Sequence, residues 1–380
     1  MAVVLVLVLV FFAGGGWFYA GEIREGALES RAPEPPALQT GILAVGDGSI
    51  TLARDPASPK ELTTPGTWGL RWADGYGRLG AIRSLGPDRV ERAFTRLQGT
   101  PPRAGDESAV DGYAWPADPA LAAGRPASEI TYPSPLGPVP AWLVGGRRDT
   151  WVILVHGYNA ARTETLRTLA TVTSQGYPAL AITYRNDPGA PRTPDGLRRW
   201  GATEWQDLEA ATRYALDRGA AGVVLAGFSM GGAVVTSFLL SSPLAGRVRG
   251  VVLDSPALDL GAVVDQGAVD RDLPVLGTPV PAALTVVAKG IAGLRYDLDW
   301  AELDYLDRAG GLSAPMLVFH QTGDPTVPVA ISQELAAARS ELVTFERFDG
   351  DGHVQSWNVD RARYERAVLA FLDRVAPAAA

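Results

Sequence analysis

The stretch V-V-L-A-G-F-S-M-G-G-A-V-V, residues 223–235, passes from an apolar run into a serine bracketed by glycines and on into a second apolar segment. Residues 227–231 fit G-x-S-x-G, the pattern of a sharp strand-to-helix turn that exposes a serine hydroxyl above a sheet. With 43 glycines among 380 residues, such a pentapeptide also arises by chance, so the motif alone is a weak signal. Its surroundings decide the reading.

Around this stretch, short apolar runs alternate with amphipathic ones. The residues predict strands at 151–156, 178–184, 222–228, 249–254, 314–320 and 342–348. Helices are expected near 162–175, 203–218, from Met230 onward, near 329–339 and near 359–375. E-I-T-Y-P-S-P-L-G-P-V-P-A-W-L-V, from Glu129, reads as two further strands joined by a Pro/Gly turn. All-apolar strands alternating with helices imply a mostly parallel sheet covered on both faces, in which ligands bind beyond the carboxyl ends of the strands.

Those ends carry His156-Gly157-Tyr158, Ser229, Asp254, Asp324 and His353. In this order the sequence resembles the α/β-hydrolase family, over roughly residues 128–376. The resemblance implies an α/β-hydrolase fold with a nucleophile, an acid and a histidine in that chain order, here Ser229, Asp324 and His353. A serine hydroxyl needs a neighbouring imidazole to take its proton, and a carboxylate to fix that imidazole's tautomer. The oxyanion of the intermediate needs fixed donors, and the resemblance assigns these to the backbone N–H groups of Tyr158 and Met230. Asp254 is the competing acid, since some members of the family carry it after the earlier strand. Asp324 could also be ordinary turn chemistry before Pro325. His156 is read as a structural residue of its loop and His320 as a buried residue near the site. Asp349 and Asp351 are read as solvated turn residues, and Glu204 and Asp207 as residues of a helix face.

Residues 2–20 carry no charge and, at about 1.5 Å per helical residue, would span roughly 28 Å, close to a bilayer's hydrocarbon core. Trp17, Phe18 and Tyr19 stand where interfacial aromatics are expected. Residues 1–30 are therefore read as a single-pass membrane anchor, with the catalytic part extracytoplasmic. The alternative is a signal segment cleaved near Ala13–Gly15, leaving a secreted protein. R-A-P-E-P-P from Arg31 is a stiff linker covering residues 31–37. Residues 38–127 read as a small β-rich module, with Gly46-Asp47-Gly48 at a hairpin turn. Trp68, Trp72 and Tyr76 there are either its core, the ordinary role of such residues, or a ligand face.

A formal charge of −8 argues against a nucleic-acid partner, and the absence of cysteine excludes disulfides and thiolate chemistry. Basic charge is almost all Arg, with Lys only at 60 and 289, a bias typical of GC-rich bacterial coding sequences. No phosphate-binding loop, dinucleotide fingerprint or metal-ligand cluster is present, and the triad chemistry requires no cofactor. Residues 257–312 replace a single crossover with a strongly apolar stretch, which in hydrolases of this kind resembles a lid. Lid and anchor together point to an acyl-bearing or lipid-like ester as substrate. Peptide hydrolysis, acyl transfer from the same serine, and a membrane-tethered binding module without catalysis are the alternatives.

Overall fold

In the computed structural model, residues 2–269, 271–273 and 277–377 are described, with side chains at all of these but 2–5 and 7–8. The chain opens with helix α1 (Ala2–Ile23), which continues as a short π-helical turn (Arg24–Leu28). The six strands of the front module follow: β1 (Thr40–Gly46), β2 (Ser49–Ala53), β3 (Trp68–Trp72), β4 (Gly75–Leu85), β5 (Arg89–Gly99) and β6 (Glu107–Asp111). They pair antiparallel and close into a barrel in the order β1-β2-β5-β4-β3-β6. Its alternation is that of half-buried strands: in β2, Ile50 and Leu52 point inward, beside Ile42, Trp68, Leu70, Leu79 and Val90. The turn between β1 and β2 falls at Asp47-Gly48, with Gly48 at φ 66°. Trp68 lies in the barrel core; Trp72 and Tyr76 are also buried, but they line a cleft between barrel and linker.

After helix α2 (Pro119–Ala123) comes the main sheet: β7 (Ala127–Ser134), β8 (Gly137–Val144), β9 (Thr150–Val155), β10 (Ala179–Ile182), β11 (Gly222–Phe228), β12 (Val248–Asp254), β13 (Met316–Gln321) and β14 (Val343–Phe348). Its order is β14-β13-β12-β11-β9-β10-β8-β7, parallel except at β8 and β7. Both faces are covered, which is why the central strands read as unbroken apolar runs. Ile153 and Val155 pack into one core and Val152 and Leu154 into the other. The covering helices are α3 (Leu166–Ser174), α4 (Trp205–Asp217), α5 (Met230–Ser241), α6 (Leu260–Val269), α7 (Ala282–Tyr296), α8 (Val329–Ala338), α9 (Ser356–Val359) and α10 (Arg361–Val375). Register sets Phe228 beside Asp254 and Asp254 beside Phe319, so the loops leaving β11, β12 and β13 emerge together at one sheet edge. Helices α6 and α7 occupy the long segment between β12 and β13.

The expectation of a membrane-spanning first helix is not supported. Among the described residues no helix is long and apolar enough to cross a membrane. Helix α1 packs along α7, and Tyr19, Ala20, Ile23, Ala27 and Leu28 are buried in the same core as the main sheet. The segment then follows the body closely: Arg198 N–H donates to Leu28 O at 2.8 Å, and Trp200 Nε1 to Ala27 O at 2.7 Å.

Candidate active site

Ser229 stands between β11 and α5 at φ 51° and ψ −120°, a backbone state disfavoured for any side chain-bearing residue and held here by its neighbours. A Cβ on Gly231 would sit 2.1 Å from Val155 O, and one on Gly227 2.6 Å from Gly231 O. The turn therefore closes only with glycine at both positions. Ser229 N–H donates to Asp254 O at 3.0 Å, and Ser229 O accepts from Gly232 and Ala257 N–H. Among the described residues, Ser229 Oγ has no hydrogen-bond partner.

Asp324 and His353 meet across two loops. His353 Nδ1 lies 2.8 Å from Asp324 Oδ2. The other carboxylate oxygen accepts from the N–H groups of Thr326 at 2.9 Å and Val327 at 3.0 Å. His320, fully buried on β13, comes within 3.3 Å of Asp324 Oδ2 and also bonds Val327 O and Ser332 Oγ. Burial of the Asp324 carboxyl opposes ionisation, but hydrogen bonds from His320 and His353 outweigh it and hold the group well below the usual carboxylate range. Asp254, the competing acid, is not bonded to His353. It is buried, lies 3.4 Å from Ser356 Oγ and beside the Tyr364 hydroxyl, and burial pushes its pKa up to about 6.

The H-G-Y loop lies against the serine turn, so that a Cβ on Gly157 would fall 3.0 Å from Ser229 Cβ. A buried chain of hydrogen bonds fixes this loop: His156 Nε2 to Asp187 Oδ2 at 2.9 Å, and Arg198 Nη2 to Asp187 Oδ1 at 2.5 Å. Gly157 N–H donates to Glu164 at 2.7 Å. The Tyr158 amide has no acceptor among the described residues, and Met230, first in α5, has none within its helix. Among the described residues these two N–H groups thus lack an acceptor, and the α5 dipole favours an anion at its N-terminus. The Tyr158 ring stacks on Trp200, and its hydroxyl donates to Glu29 O at 2.8 Å.

Several residues in this machinery carried no clear sequence signal. Arg167, the one charged residue of α3, is buried and donates to Val354 O and Asn358 Oδ1 behind the histidine loop. Val354, a β-branched residue at φ 53°, follows His353 directly and donates its N–H to Ser255 Oγ at 3.2 Å. Asp207 lies in the first turn of α4, as read, and Glu204 is the residue that caps it. Both are fully buried, Asp207 bonded to Arg185 and Glu204 to the N–H groups of Arg199 and Gly201. The lone arginine inside α3 was the one visible hint, since a buried guanidinium requires acceptors. Asp351 is an exposed turn residue, as read, and pairs with Lys60.

A parallel sheet with a serine on a glycine turn and an Asp–His pair beyond later strands defines a hydrolase-type catalytic scaffold. Residues 152–367 match the alpha/beta hydrolase family, more than half of the chain, and the protein belongs to that family. Residues 41–111, the barrel, match a family described only as a domain of unknown function, DUF8805. No curated protein matches the sequence. Among solved structures, an esterase from Pyrococcus furiosus is similar with a TM-score of 0.54 at 20% identity, covering 69% of this chain and 96% of that one. A puromycin-hydrolyzing peptidase from Mycobacterium tuberculosis is similar with a TM-score of 0.56 at 17% identity, covering 92% of this chain and 56% of that one. At these identities the likeness establishes the fold.

Proposed function

We propose that the protein is a serine hydrolase that cleaves a carboxylic ester through an acyl-enzyme on Ser229. The observation that carries the reading is the hydrogen bond between buried Asp324 and partly exposed His353, beyond the carboxyl ends of the strands where Ser229 sits on its strained turn. His353 takes the Ser229 proton as Oγ attacks the ester carbonyl, and Asp324 holds Nδ1–H and stabilises the imidazolium. The tetrahedral oxyanion forms against the Tyr158 and Met230 N–H groups. Collapse breaks the C–O bond, His353 protonates the departing alcohol, and water repeats the sequence on the acyl-Ser229 ester. The likeness to an esterase from Pyrococcus furiosus supports ester cleavage. The peptidase likeness, which spans more of this chain, keeps amide cleavage as the second reading.

A fluorophosphonate probe tests the proposal on the full chain. Labelling of the wild type that vanishes in Ser229→Ala is expected, together with loss of ester turnover of roughly 10⁶-fold. A folded wild type that neither labels nor turns over esters would refute it and leave a binding module on a hydrolase scaffold. Acyl transfer would show as a new ester when a competing alcohol is present.

We also propose that the chain is held at a membrane by its first helix, with the catalytic part extracytoplasmic. Val6, Leu9, Val10, Trp17 and Phe18 on α1 and Val286 and Leu294 on α7 are exposed apolar residues on two helices that pack together. Full-length protein should float with lipid vesicles and a chain lacking residues 2–11 should not, and protease added to intact cells should reach the catalytic part. Equal flotation of both chains would overturn the attachment, and protection from protease would overturn the orientation.

A further inference from the structure

The N-terminal segment ends against the loop that carries one of the two proposed oxyanion donors. Three successive carbonyls of the segment accept hydrogen bonds from the catalytic part. Ala27 O accepts from Trp200 Nε1 at 2.7 Å, Leu28 O from Arg198 N–H at 2.8 Å, and Glu29 O from the Tyr158 hydroxyl at 2.8 Å. Glu29 also forms an antiparallel bridge with Leu197. Ala27 and Leu28 are buried, so this strap is fixed where it meets the loop.

Asn159 completes the junction. Its Nδ2 donates to Glu29 O at 3.1 Å and its Oδ1 accepts from Arg31 N–H at 2.9 Å, so one side chain clips two residues of the strap. Its backbone stands at φ 47°, a left-handed state that asparagine tolerates better than most residues. Next to it lies the Gly157–Tyr158 peptide, whose planarity ties the direction of Tyr158 N–H to that of Gly157 O. Gly157 O accepts from the Tyr184 hydroxyl at 3.2 Å, and His156 Nδ1 is 2.9 Å away. That holds one end of the peptide from within the catalytic part. The other end is held from outside it: the Tyr158 ring stacks on Trp200, its hydroxyl bonds the strap, and burial raises the pKa of that hydroxyl and keeps it a donor.

We infer that Asn159 is a positioning residue: with the Tyr158 hydroxyl it fastens the oxyanion loop to the strap at residues 27–31, and so aims Tyr158 N–H at the developing oxyanion. This role rests on the serine-hydrolase reading and adds to it a part for the N-terminal segment in the chemical step, whatever else the first helix does.

A thiono ester, with sulfur in place of the carbonyl oxygen, separates aim from general loosening, because sulfur accepts hydrogen bonds weakly and gains little from an oxyanion donor. In the full chain, Asn159→Gly removes both contacts to the strap and suits the positive φ. Its kcat on 4-nitrophenyl acetate should fall roughly tenfold to a hundredfold with KM within about twofold, less than the roughly 10²–10³-fold cost of losing a donor outright. On the thiono analogue of the same ester the loss should stay within about threefold. Tyr158→Phe keeps the ring on Trp200 and the main chain, so it is expected to fold, and it should show the same selective loss at smaller size. Equal losses on the two esters would reduce the strap to a support of the fold, and undiminished turnover would show that the donor is aimed without it. Either result overturns the inference, while Ser229 labelling by the fluorophosphonate leaves the hydrolase reading standing. A wild type that neither labels nor turns over either ester removes that reading and this role with it.

Discussion

Asp254 and Asp324 are the same residue type at the ends of neighbouring strands, and their surroundings drive them apart. Asp324 receives two backbone N–H groups and two imidazoles, whereas among the described residues the Asp254 carboxyl has only hydroxyl neighbours, Ser356 and Tyr364, and no bonded imidazole. Burial accordingly raises Asp254 to about 6 from 3.8. An acid raised in the fold favours its protonated form there. That contribution is complete below the unfolded pKa near 4 and is lost as pH rises through about 6. Above that range the buried carboxylate costs up to about 3 kcal/mol. Asp254→Asn is close in shape and stays neutral, so its unfolding free energy in urea should exceed the wild type's at pH 8. The gap should close below pH 4. Ester turnover should stay within a few-fold, because His353 is bonded to Asp324. A loss of 10³–10⁴-fold in turnover would instead make Asp254 the acid, and equal stability at pH 8 would show the carboxylate to be better solvated than its burial implies.

At the level of elements, the strands and helices of the main sheet were legible because their signals are local. Gly222–Phe228 falls where its apolar run lies, bounded by turn residues, and α8 and β14 lie within a residue of their expected limits. The site followed from the same signal, since the rule that ligands gather at strand ends singles out few polar residues. What the sequence did not disclose depends on tertiary partners. Hydropathy reports that residues 2–20 avoid water and is silent on what replaces it. In the fold, Tyr19, Ala20 and Ile23 find the protein's own core, and Gly15 and Gly16 let Leu284 and Val287 of α7 approach. The same blindness hid the bond from Tyr158 to Glu29, which spans 129 residues. It also hid Glu204 and Asp207, whose helical pattern looks amphipathic until Arg185 and the 199–201 loop close over them.

In the whole molecule, the barrel is more than an appended module, because one of its loops braces the histidine loop. Arg92, buried in the barrel with no acidic partner among the described residues, donates to the carbonyls of Glu61, Leu62, Thr64, Gly66 and Gly80, and so ties the 61–66 loop to the barrel. That loop meets the segment around His353. Lys60 Nζ donates to Asp351 O at 2.7 Å, Thr67 N–H to Asn358 O at 2.8 Å, and Asn358 Nδ2 back to Thr67 O at 2.8 Å. Gly66, at φ 129°, lies against the same segment: a Cβ there would fall 2.3 Å from Asn358 O. Neither partner can yield, one being main chain and the other pinned through Asn358 by Arg167. Gly66→Ala must therefore push the barrel loop off the histidine loop. Because a displacement of about 1 Å near the chemistry costs up to 10²-fold, kcat on a small ester should fall between tenfold and a hundredfold with KM little changed. Amide hydrogen exchange should quicken across residues 351–358, while the β11–α5 turn that carries Ser229 stays protected. A variant with wild-type kcat, or one whose exchange quickens throughout the main sheet, would show that the barrel contributes stability and not the placement of His353.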